Sequence, residues 1–254
     1  MTPMARVLVV AGLDPSGGAG LVADLEGLSA VGAAGWTVAA ALTAQGPAGV
    51  KGWSPVPADL LLAQIDALLE GDGVGEEARP GAVKTGMLGT AGLAAALAKR
   101  LSAPDLARVP LVADPVLLST SGTLLLDTGG LSVSEALEPL LERARLATPN
   151  LPELAALTGL DVSTDAAAVK AARQLPARAV LVKGGHREGT PVDLLVEGRK
   201  VTRLEGIRRP GTARGTGCRL AAAIAGLLAH GAALDEAVRG GRAVVERYLD
   251  ASAR

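Results

Sequence analysis

The sequence has no phenylalanine and few other aromatic residues, with two tryptophans and one tyrosine in 254 positions. Aromatic rings normally supply much of the buried area of a protein core. Here alanine, leucine, valine and glycine must fill the interior, and hydrophobic residues do make up 49% of the chain. Side chains of this size favour close packing of helices on a sheet. At this length the chain can bury a large core.

Cysteine and histidine are scarce as well, because the chain has only Cys218 and two histidines. A single cysteine excludes an internal disulfide framework. With two histidines beside it, no Cys/His metal cluster can be assembled. This composition fits a reducing cytosol, so we expect a cytoplasmic protein.

The sequence also lacks an excess of charge of one sign and any long apolar run. The formal net charge is −1 and no long basic run occurs, so nothing attracts nucleic acid or an anionic membrane. The apolar run over 7–11 is too short to cross a membrane and is unlike a signal peptide. We therefore expect small-molecule partners or a second copy of the chain. No repeat, low-complexity tract or linker is visible, which predicts one domain over 1–254.

The most informative stretch is the glycine-rich turn Gly211-Thr-Ala-Arg-Gly-Thr-Gly-Cys218, which runs into an apolar helical segment over 219–229. Gly215 and Gly217 let successive backbone N–H groups point at one anion at the helix start. Cys218 falls at this start, where the helix dipole favours thiolate over thiol. The turn thus predicts a phosphate cradle beside a proton acceptor. The alternative is a glycine turn that caps a buried helix, with the cysteine as a small core residue.

Strand and helix patterns alternate along the chain. Short β-branched runs predict buried parallel strands, and apolar residues at helical spacing predict the helices between them. Predicted strands cover 6–11, 36–42, 82–84, 109–113, 145–147 and 179–183, with a hairpin over 192–197 and 200–204. Predicted helices cover 21–31, 60–69, 91–101, 135–143, 166–174, 219–229 and 234–249, one more ends near 159, and 71–80 is a turn-rich connection. The alternation predicts an α/β fold with a mostly parallel sheet covered on both faces.

One predicted helix contains a proline, Pro139, within 135–143. Proline removes a backbone donor and clashes with the preceding turn, so it is tolerated best in the first turn of a helix. The position therefore indicates either that the regular helix begins at Pro139 or that it is kinked there.

Several chemically useful side chains fall where predicted strands end, the edge at which α/β proteins assemble ligand sites. Gln45 follows the second strand and offers a planar amide to the edge of a heteroaromatic ring. Asp114 follows the strand over 109–113, and Lys183 ends a strand beside two glycines, from which it can reach a phosphate. Each residue also has a plainer interpretation: an exposed loop glutamine, an Asp-Pro turn and a solvated lysine.

A further segment, Thr148-Pro-Asn-Leu-Pro-Glu153, brings an amide and a carboxylate to a helix start. Asn150 and Glu153 present the oxygen ligands that Mg²⁺ or its bound waters prefer. The alternative is that Glu153 only complements the helix dipole.

Seven motifs recur together along the chain: Ala11-Gly-Leu-Asp-Pro-Ser-Gly-Gly-Ala-Gly20, Ala41-Leu-Thr-Ala-Gln45, Lys84-Thr-Gly-Met-Leu88, Asp114-Pro-Val116, Thr148-Pro-Asn-Leu-Pro-Glu153, Lys183-Gly-Gly-His186 and Gly215-Thr-Gly-Cys218. In this order, across nearly the whole chain, they resemble the hydroxymethylpyrimidine/phosphomethylpyrimidine kinase family of thiamine biosynthesis. The resemblance implies a ribokinase-like three-layer αβα sandwich. It also implies two ATP-dependent steps. The first phosphorylates the hydroxymethyl group of 4-amino-5-hydroxymethyl-2-methylpyrimidine, and the second converts that monophosphate to the diphosphate.

The resemblance assigns a substrate role to residues in the first third of the chain. Gln45 would hydrogen-bond the pyrimidine ring. Gly12, Asp24 and Met87 would lie near its pocket. The partners implied are this pyrimidine alcohol and ATP, and relatives suggest a homodimer.

The resemblance places the phosphate chemistry in the second half. ATP and Mg²⁺ are the implied cofactors. The metal or its waters would be organised by Asp114, Asn150 and Glu153. The catalytic set would comprise Lys183, Gly215, Thr216, Gly217 and Cys218, in which the lysine faces the ATP phosphates, the turn forms an anion hole and the cysteine is the base.

The chain departs from the family pattern at two positions. Members usually have His before the cradle and Thr after its cysteine, where this chain has Arg214 and Arg219. The guanidinium group of Arg219 either binds phosphate or blocks an acceptor. Alternatively, both arginines are tolerated surface replacements.

Two other functions compete with this interpretation. One is pyridoxal kinase activity, because the folds overlap and some members accept both rings; the contexts of Gln45 and Met87 argue against it. The other is a non-catalytic nucleotide- or pyrimidine-binding regulator. The joint presence of four groups argues against a decayed kinase, namely Asp114, Glu153, Lys183 and Cys218.

Overall fold

The computed structural model describes residues 4–70, 79–119, 122–185, 189–208 and 213–252. The strands are β1 (Arg6–Leu13), β2 (Ala34–Gly46), β3 (Gly49–Pro55), β4 (Ala82–Thr85), β5 (Gly89–Thr90), β6 (Leu111–Ala113), β7 (Leu126–Asp127), β8 (Leu146–Ala147), β9 (Val180–Val182), β10 (Val192–Glu197) and β11 (Lys200–Glu205). The helices are α1 (Gly20–Ser29), α2 (Ala58–Leu69), α3 (Ala91–Leu101), α4 (Val133–Arg143), α5 (Leu151–Thr158), α6 (Asp165–Ala172), α7 (Thr216–Ala229) and α8 (Leu234–Ser252).

Nine strands form one sheet in the order β11-β10-β9-β8-β6-β4-β1-β2-β3. The six central strands from β9 to β2 are parallel, whereas β3 at one edge and β10 and β11 at the other pair antiparallel. A second, two-stranded sheet pairs β5 with β7. The predicted mostly parallel sheet is confirmed. The carboxyl ends of the parallel strands therefore meet at one edge, where a ligand site is expected.

Helices cover both faces of the sheet, because successive residues of a strand point to opposite sides. In β1, Leu8 and Val10 pack in one apolar cluster and Val7 and Val9 in another. The first cluster joins the sheet to α2, α3, α4, α5 and α6, and the second joins it to α1, α7 and α8. The predicted three-layer αβα arrangement is confirmed. Among the helices described, none has the length and hydropathy needed to cross a bilayer.

Several predicted boundaries are wrong for local physical reasons. The strand predicted over 36–42 runs to Gly46, so Gln45 lies inside β2 rather than beyond it. Strand β3 was not predicted, because its sequence Gly-Val-Lys-Gly-Trp-Ser-Pro lacks an apolar alternation. Its two glycines and terminal proline are typical of a loop, and pairing with β2 stabilises it as an edge strand.

The proline-containing helix also differs from its prediction. It begins at Val133, so a start at Pro139 is wrong. Ser132 and Glu135 form a capping box there, in which each side chain accepts from the backbone N–H of the other. This box satisfies two donors of the first turn and fixes the helix start upstream of the proline. Three sequence predictions involve residues outside the described part of the chain: most of the turn-rich segment over 71–80, His186, and Gly211 with Thr212.

Candidate functional site

The glycine-rich turn leads directly into helix α7. Gly215 has a φ of +69° and is the residue before the helix. A side chain there would collide with the carbonyl oxygen of Gly18, so the loop after β1 lies directly against the turn. The first helical bond runs from Arg219 N–H to Gly215 O, at 3.0 Å. The N–H groups of residues 216–218 therefore have no helical acceptor and are available to an anion.

Two predicted residues converge beside this turn. Asp114 follows β6 and Lys183 follows β9, and the ammonium donates to Asp114 Oδ1 at 2.7 Å. Thr148 Oγ1 donates to the same oxygen at 3.0 Å. A Cβ on Gly217 would lie 3.1 Å from Lys183 Nζ and 3.8 Å from Asp114 Oδ2. The edge of the parallel sheet thus places a cation and a carboxylate against the first turn of α7.

The third predicted group, Glu153, joins this cluster through the start of α5. Asn150 Oδ1 accepts from Glu153 N–H at 2.8 Å, and Glu153 Oε2 accepts from Asn150 N–H at 2.7 Å. The same Glu153 oxygen lies 3.8 Å from Lys183 Nζ. Burial raises the pKa of Glu153 to about 7, although the nearby ammonium lowers it. The side chain therefore caps the helix and also contributes a carboxylate to the site.

These residues supply part, but not all, of the ligand set of a magnesium ion. No three His, Cys, Asp or Glu side chains within the described ranges are placed around one point as metal ligands. Asp114 and Glu153 supply two carboxylates beside one lysine, and Mg²⁺ commonly takes one or two carboxylates together with waters and substrate phosphates. The Asn150 oxygen is engaged as a helix cap. The donor set thus fits a magnesium site that nucleotide phosphates complete.

The thiol of Cys218 is less acidic than its place at a helix start predicts. The residue keeps some exposed surface and has no disulfide partner. Burial of the thiol raises its pKa to about 11, and the ammonium of Lys84 lowers it only in part. Burial, together with the nearby carboxylates Asp24 and Asp114, favours the thiol, contrary to the thiolate that the helix start predicts.

Lys84 forms a buried ion pair that the sequence prediction did not include. Its Nζ lies 2.6 Å from Asp24 Oδ1, and both side chains are 0% exposed. Neither group has a hydrogen bond of good geometry to the residues described. A Cβ on Gly86 would lie 2.8 Å from Lys84 Nζ, so the pair lies directly behind the segment that carries Met87. Asp24 is therefore linked through Lys84 to the segment that carries Met87. The signal for this pair was a lysine in an otherwise apolar strand.

We expect the buried pair to impose a pH dependence on stability. Burial raises the pKa of Asp24 from 3.8 to about 6, and Lys84 only partly offsets this. Between about pH 4 and 6 the folded protein holds a proton that the unfolded chain has lost. The free energy of unfolding should therefore fall as the pH rises through this window. Urea unfolding should show that the D24N/K84M variant lacks this component; parallel curves for both proteins would contradict it.

A separate apolar cluster lies beside Gly12, and we call it the ring pocket. Its buried members are Ala41, Met87 and Leu125, packed against Val50, Trp53 and Val116. A Cβ on Gly12 would lie 2.9 Å from Met87 Sδ, so the methionine side chain packs directly on this glycine. Gln45 pairs across the hairpin with Val50, which places it beside the pocket. The structure thus brings three of the four predicted substrate residues together.

Trp53 was not predicted as a site residue, although tryptophan is rare in this chain. Its ring packs on the ring pocket, and its Nε1 donates to Leu124 O at 3.1 Å. This bond ties strand β3 to the segment before β7. The unpredicted edge strand therefore supplies one wall of the pocket.

The two unusual arginines have different surroundings. Arg219 is 4% exposed, so its interpretation as a surface replacement is wrong. It pairs with Glu26, donates to the carbonyl of Arg214 at 3.0 Å and stacks on Tyr248 with a distance of 3.9 Å to the ring centroid. Tyr248 Oη donates to the same Arg214 carbonyl at 3.3 Å. Arg219 thus fixes the peptide before Gly215 from behind the cradle.

Arg214 instead extends over the loop that follows β1. Its NH2 donates to Asp14 Oδ2 at 2.8 Å, and its NH1 donates to Ser16 Oγ at 3.1 Å. A Cβ on Gly18 would lie 2.9 Å from Arg214 NH1. The side chain is 22% exposed, against 2% for that of Asp14. Arg214 therefore connects the cradle to the loop that begins at the ring pocket.

Comparison with known proteins identifies similar sequences over nearly the whole chain. The family profile described as phosphomethylpyrimidine kinase matches residues 14–254. A hydroxymethylpyrimidine/phosphomethylpyrimidine kinase of Streptomyces coelicolor is 41% identical over 250 residues, which cover 96% of this chain and 88% of that protein. The thiamine biosynthesis bifunctional protein ThiED of Geobacter sulfurreducens is 41% identical over 257 residues. That match covers 99% of this chain but only 50% of the longer relative.

Solved structures show the same architecture. A phosphomethylpyrimidine kinase from Clostridium difficile is 32% identical, with a TM-score of 0.77 over 98% of this chain and 100% of that chain. A pyridoxal kinase from Bacillus subtilis, solved as an ADP complex, is 31% identical, with a TM-score of 0.79 over 94% of this chain and 89% of that chain. The predicted ribokinase-like fold is confirmed.

Proposed function

Because the chain belongs to the phosphomethylpyrimidine kinase family, we propose that the sheet edge carrying Asp114, Lys183 and Cys218 performs two successive phosphorylations. The enzyme is an ATP-dependent phosphotransferase of thiamine biosynthesis. It phosphorylates 4-amino-5-hydroxymethyl-2-methylpyrimidine and then converts the monophosphate to the diphosphate. The observation that carries the residue assignment is the approach of Lys183 and Asp114 to Gly217, with the free N–H groups of the cradle beside them.

The arrangement suits phosphoryl transfer, which depends on alignment and on neutralising spread negative charge. In the first transfer the alcohol oxygen bonds to the γ-phosphorus of ATP, and in the second an oxygen of the monophosphate does so. In each transfer the bond from that phosphorus to the β-phosphate bridging oxygen breaks, and ADP leaves. The cradle N–H groups and the Lys183 ammonium face the charge that develops on the transferred group. Asp114 and Glu153 would hold Mg²⁺, which supplies further neutralisation of the phosphates when bound. The alcohol proton passes late in the transfer to the Cys218 thiolate, which is the minor form of this group at neutral pH.

The ring pocket provides the site for the pyrimidine. The partly buried side chains Val50, Trp53 and Val116 would offer an apolar surface to a flat ring, supported by the buried Ala41, Met87 and Leu125. Gln45 is half-buried beside this surface, where its amide would pair with the ring nitrogen and amino group. The segment from Gly12, near the end of β1, to Gly18 connects this pocket to the cradle.

The function is tested by incubating the protein with Mg·ATP and the pyrimidine alcohol, with pyridoxal in a parallel tube, and following products by mass spectrometry. We expect the monophosphate and then the diphosphate, with much slower turnover of pyridoxal. Pyridoxal as the better substrate would favour pyridoxal kinase, and binding without ADP formation would favour a regulator. Lys183→Ala should abolish most turnover, whereas the control Lys200→Ala changes a lysine that is 65% exposed on the hairpin.

The proposal extends to the assembly and the cellular location. Three leucines near the β2–β3 hairpin are exposed, Leu42 by 54%, Leu118 by 48% and Leu124 by 59%. Clustered exposed apolar side chains of this kind mark protein interfaces, so this patch is the proposed contact of a homodimer, which light scattering would detect. The single cysteine supports a cytoplasmic location. We also propose that residues 1–254 form one kinase domain.

A further inference from the structure

Within the part of the chain that the structure describes, four cationic side chains lie around the cradle, and each is paired with a carboxylate. The pairs are Lys84–Asp24, Lys183–Asp114, Arg219–Glu26 and Arg214–Asp14. The first transfer brings in an uncharged alcohol. The second brings in a substrate that already carries a phosphate, with a charge of about −1.5 to −2. A cation that exchanges its carboxylate for that phosphate would neutralise the added charge, beyond what the cradle N–H groups supply.

Three of the four cations are unsuited to this exchange. Lys84 is 0% exposed and cannot reach a ligand. Arg219 is held by Glu26, by two backbone carbonyls and by the Tyr248 ring. Lys183 lies between two carboxylates and is assigned to the ATP phosphates. The most exposed of the four is Arg214, at 22%, and it directly precedes Gly215 of the cradle.

The partner of Arg214 remains satisfied when the arginine leaves. Asp14 Oδ1 accepts from Ser16 N–H at 2.9 Å and from Ser16 Oγ at 2.7 Å. Arg214 uses only the other oxygen, Oδ2. Moving the guanidinium to a phosphate therefore breaks its contacts with Asp14 Oδ2 and Ser16 Oγ, and it leaves Asp14 with two donors. These two remaining donors distinguish Asp14 from Asp24, whose carboxylate oxygens have no hydrogen bond of good geometry to the residues described.

We propose that Arg214 binds the phosphate of the monophosphorylated pyrimidine and so determines the efficiency of the second transfer. The inference rests on the proposed function. The hydroxymethyl oxygen must reach the cradle in the first transfer, so the phosphate that it acquires lies beside residue 214. The planar fork of arginine binds two phosphate oxygens at once. Arg214 is thus a specificity-determining residue for the second step.

The test compares kcat/KM for the alcohol and for its monophosphate in wild type, R214Q, R214K and D14N. We expect R214Q to lower kcat/KM at least tenfold more for the monophosphate than for the alcohol, mainly through KM. R214K should recover part of this loss, since it restores the charge without the fork. Calorimetry with the monophosphate alone should show the same weakening in Kd.

The D14N variant separates phosphate binding from a purely structural tie between the loops. It removes the ion pair but keeps the guanidinium, so monophosphate binding should be retained or strengthened. Equal losses on both substrates in R214Q and D14N would overturn the proposal in favour of a structural tie. The proposal would also be overturned if R214Q kept the wild-type ratio of kcat/KM for the monophosphate to kcat/KM for the alcohol. Failure of wild type to phosphorylate either substrate would instead contradict the proposed function.

Discussion

Replacement of Cys218 by alanine should lower kcat by about 10²–10⁴-fold, because the alcohol proton then has no positioned acceptor. Burial raises the pKa of this thiol to about 11, so thiolate is a small fraction at neutral pH. The rate for wild type should therefore rise with pH, by up to about tenfold per unit between pH 7 and 10. Single-turnover measurements over this range separate proton transfer from product release.

A serine variant provides the matched control for this prediction. Cys218→Ser keeps a small polar side chain at the helix start, but its hydroxyl ionises far less readily than a thiol. We expect C218S to be about as slow as C218A and to lose the rise with pH. An activity within a few-fold of wild type in either variant would refute a proton-transfer role and favour cradle packing. Unchanged ATP binding would show that the cradle itself is intact.

Replacement of Lys84 by methionine should destabilise the protein by about 3–5 kcal/mol, the usual cost of removing one partner of a buried ion pair. Asp24 would then be enclosed without a countercharge, since both side chains are 0% exposed. Urea unfolding at pH 7 would measure the loss through the midpoint at constant slope. Methionine matches the length of the lysine stem, so the effect of charge dominates the effect of volume.

The double variant K84M/D24N decides whether charge is the cause. A neutral pair removes the desolvation cost of both ions, so it should recover most of the stability lost in K84M. A double variant as unstable as K84M would indicate a packing defect instead. A K84M protein as stable as wild type would show that Asp24 takes up a proton at little cost.

The regular elements could be predicted because local pattern and tertiary environment agree there. Helix α3 begins and ends at the predicted residues, since apolar spacing and the Thr90 cap point to the same start. Strand β3 could not be predicted, because its glycines and proline have no strand propensity and only pairing with β2 makes it a strand. Because β3 is missing from the prediction, β2 is predicted too short and Gln45 is expected beyond its end rather than inside it.

The sequence predicts which site residues lie at the strand ends, but it does not predict which side chains pair with one another. Asp114 and Lys183 fall at the same sheet edge because parallel strands end together, and this follows from the alternating pattern. The partners of Lys84 and Arg219 lie far along the sequence, on α1 and α8, and no local pattern encodes such contacts. The thiol acidity was mispredicted for a related reason, because desolvation depends on neighbours brought in by the fold.

Because aromatic residues are scarce, the intrinsic tryptophan fluorescence of this protein can be assigned to few positions. With two tryptophans in the chain, emission comes from Trp53 at the ring pocket and from Trp36 near the start of β2, where Arg6 stacks on it at 4.6 Å. Only the first of these indoles touches the surface that a substrate would cover. Titrations could therefore be read by intrinsic fluorescence without a label, and a W36F background would leave a single emitter at the pocket wall.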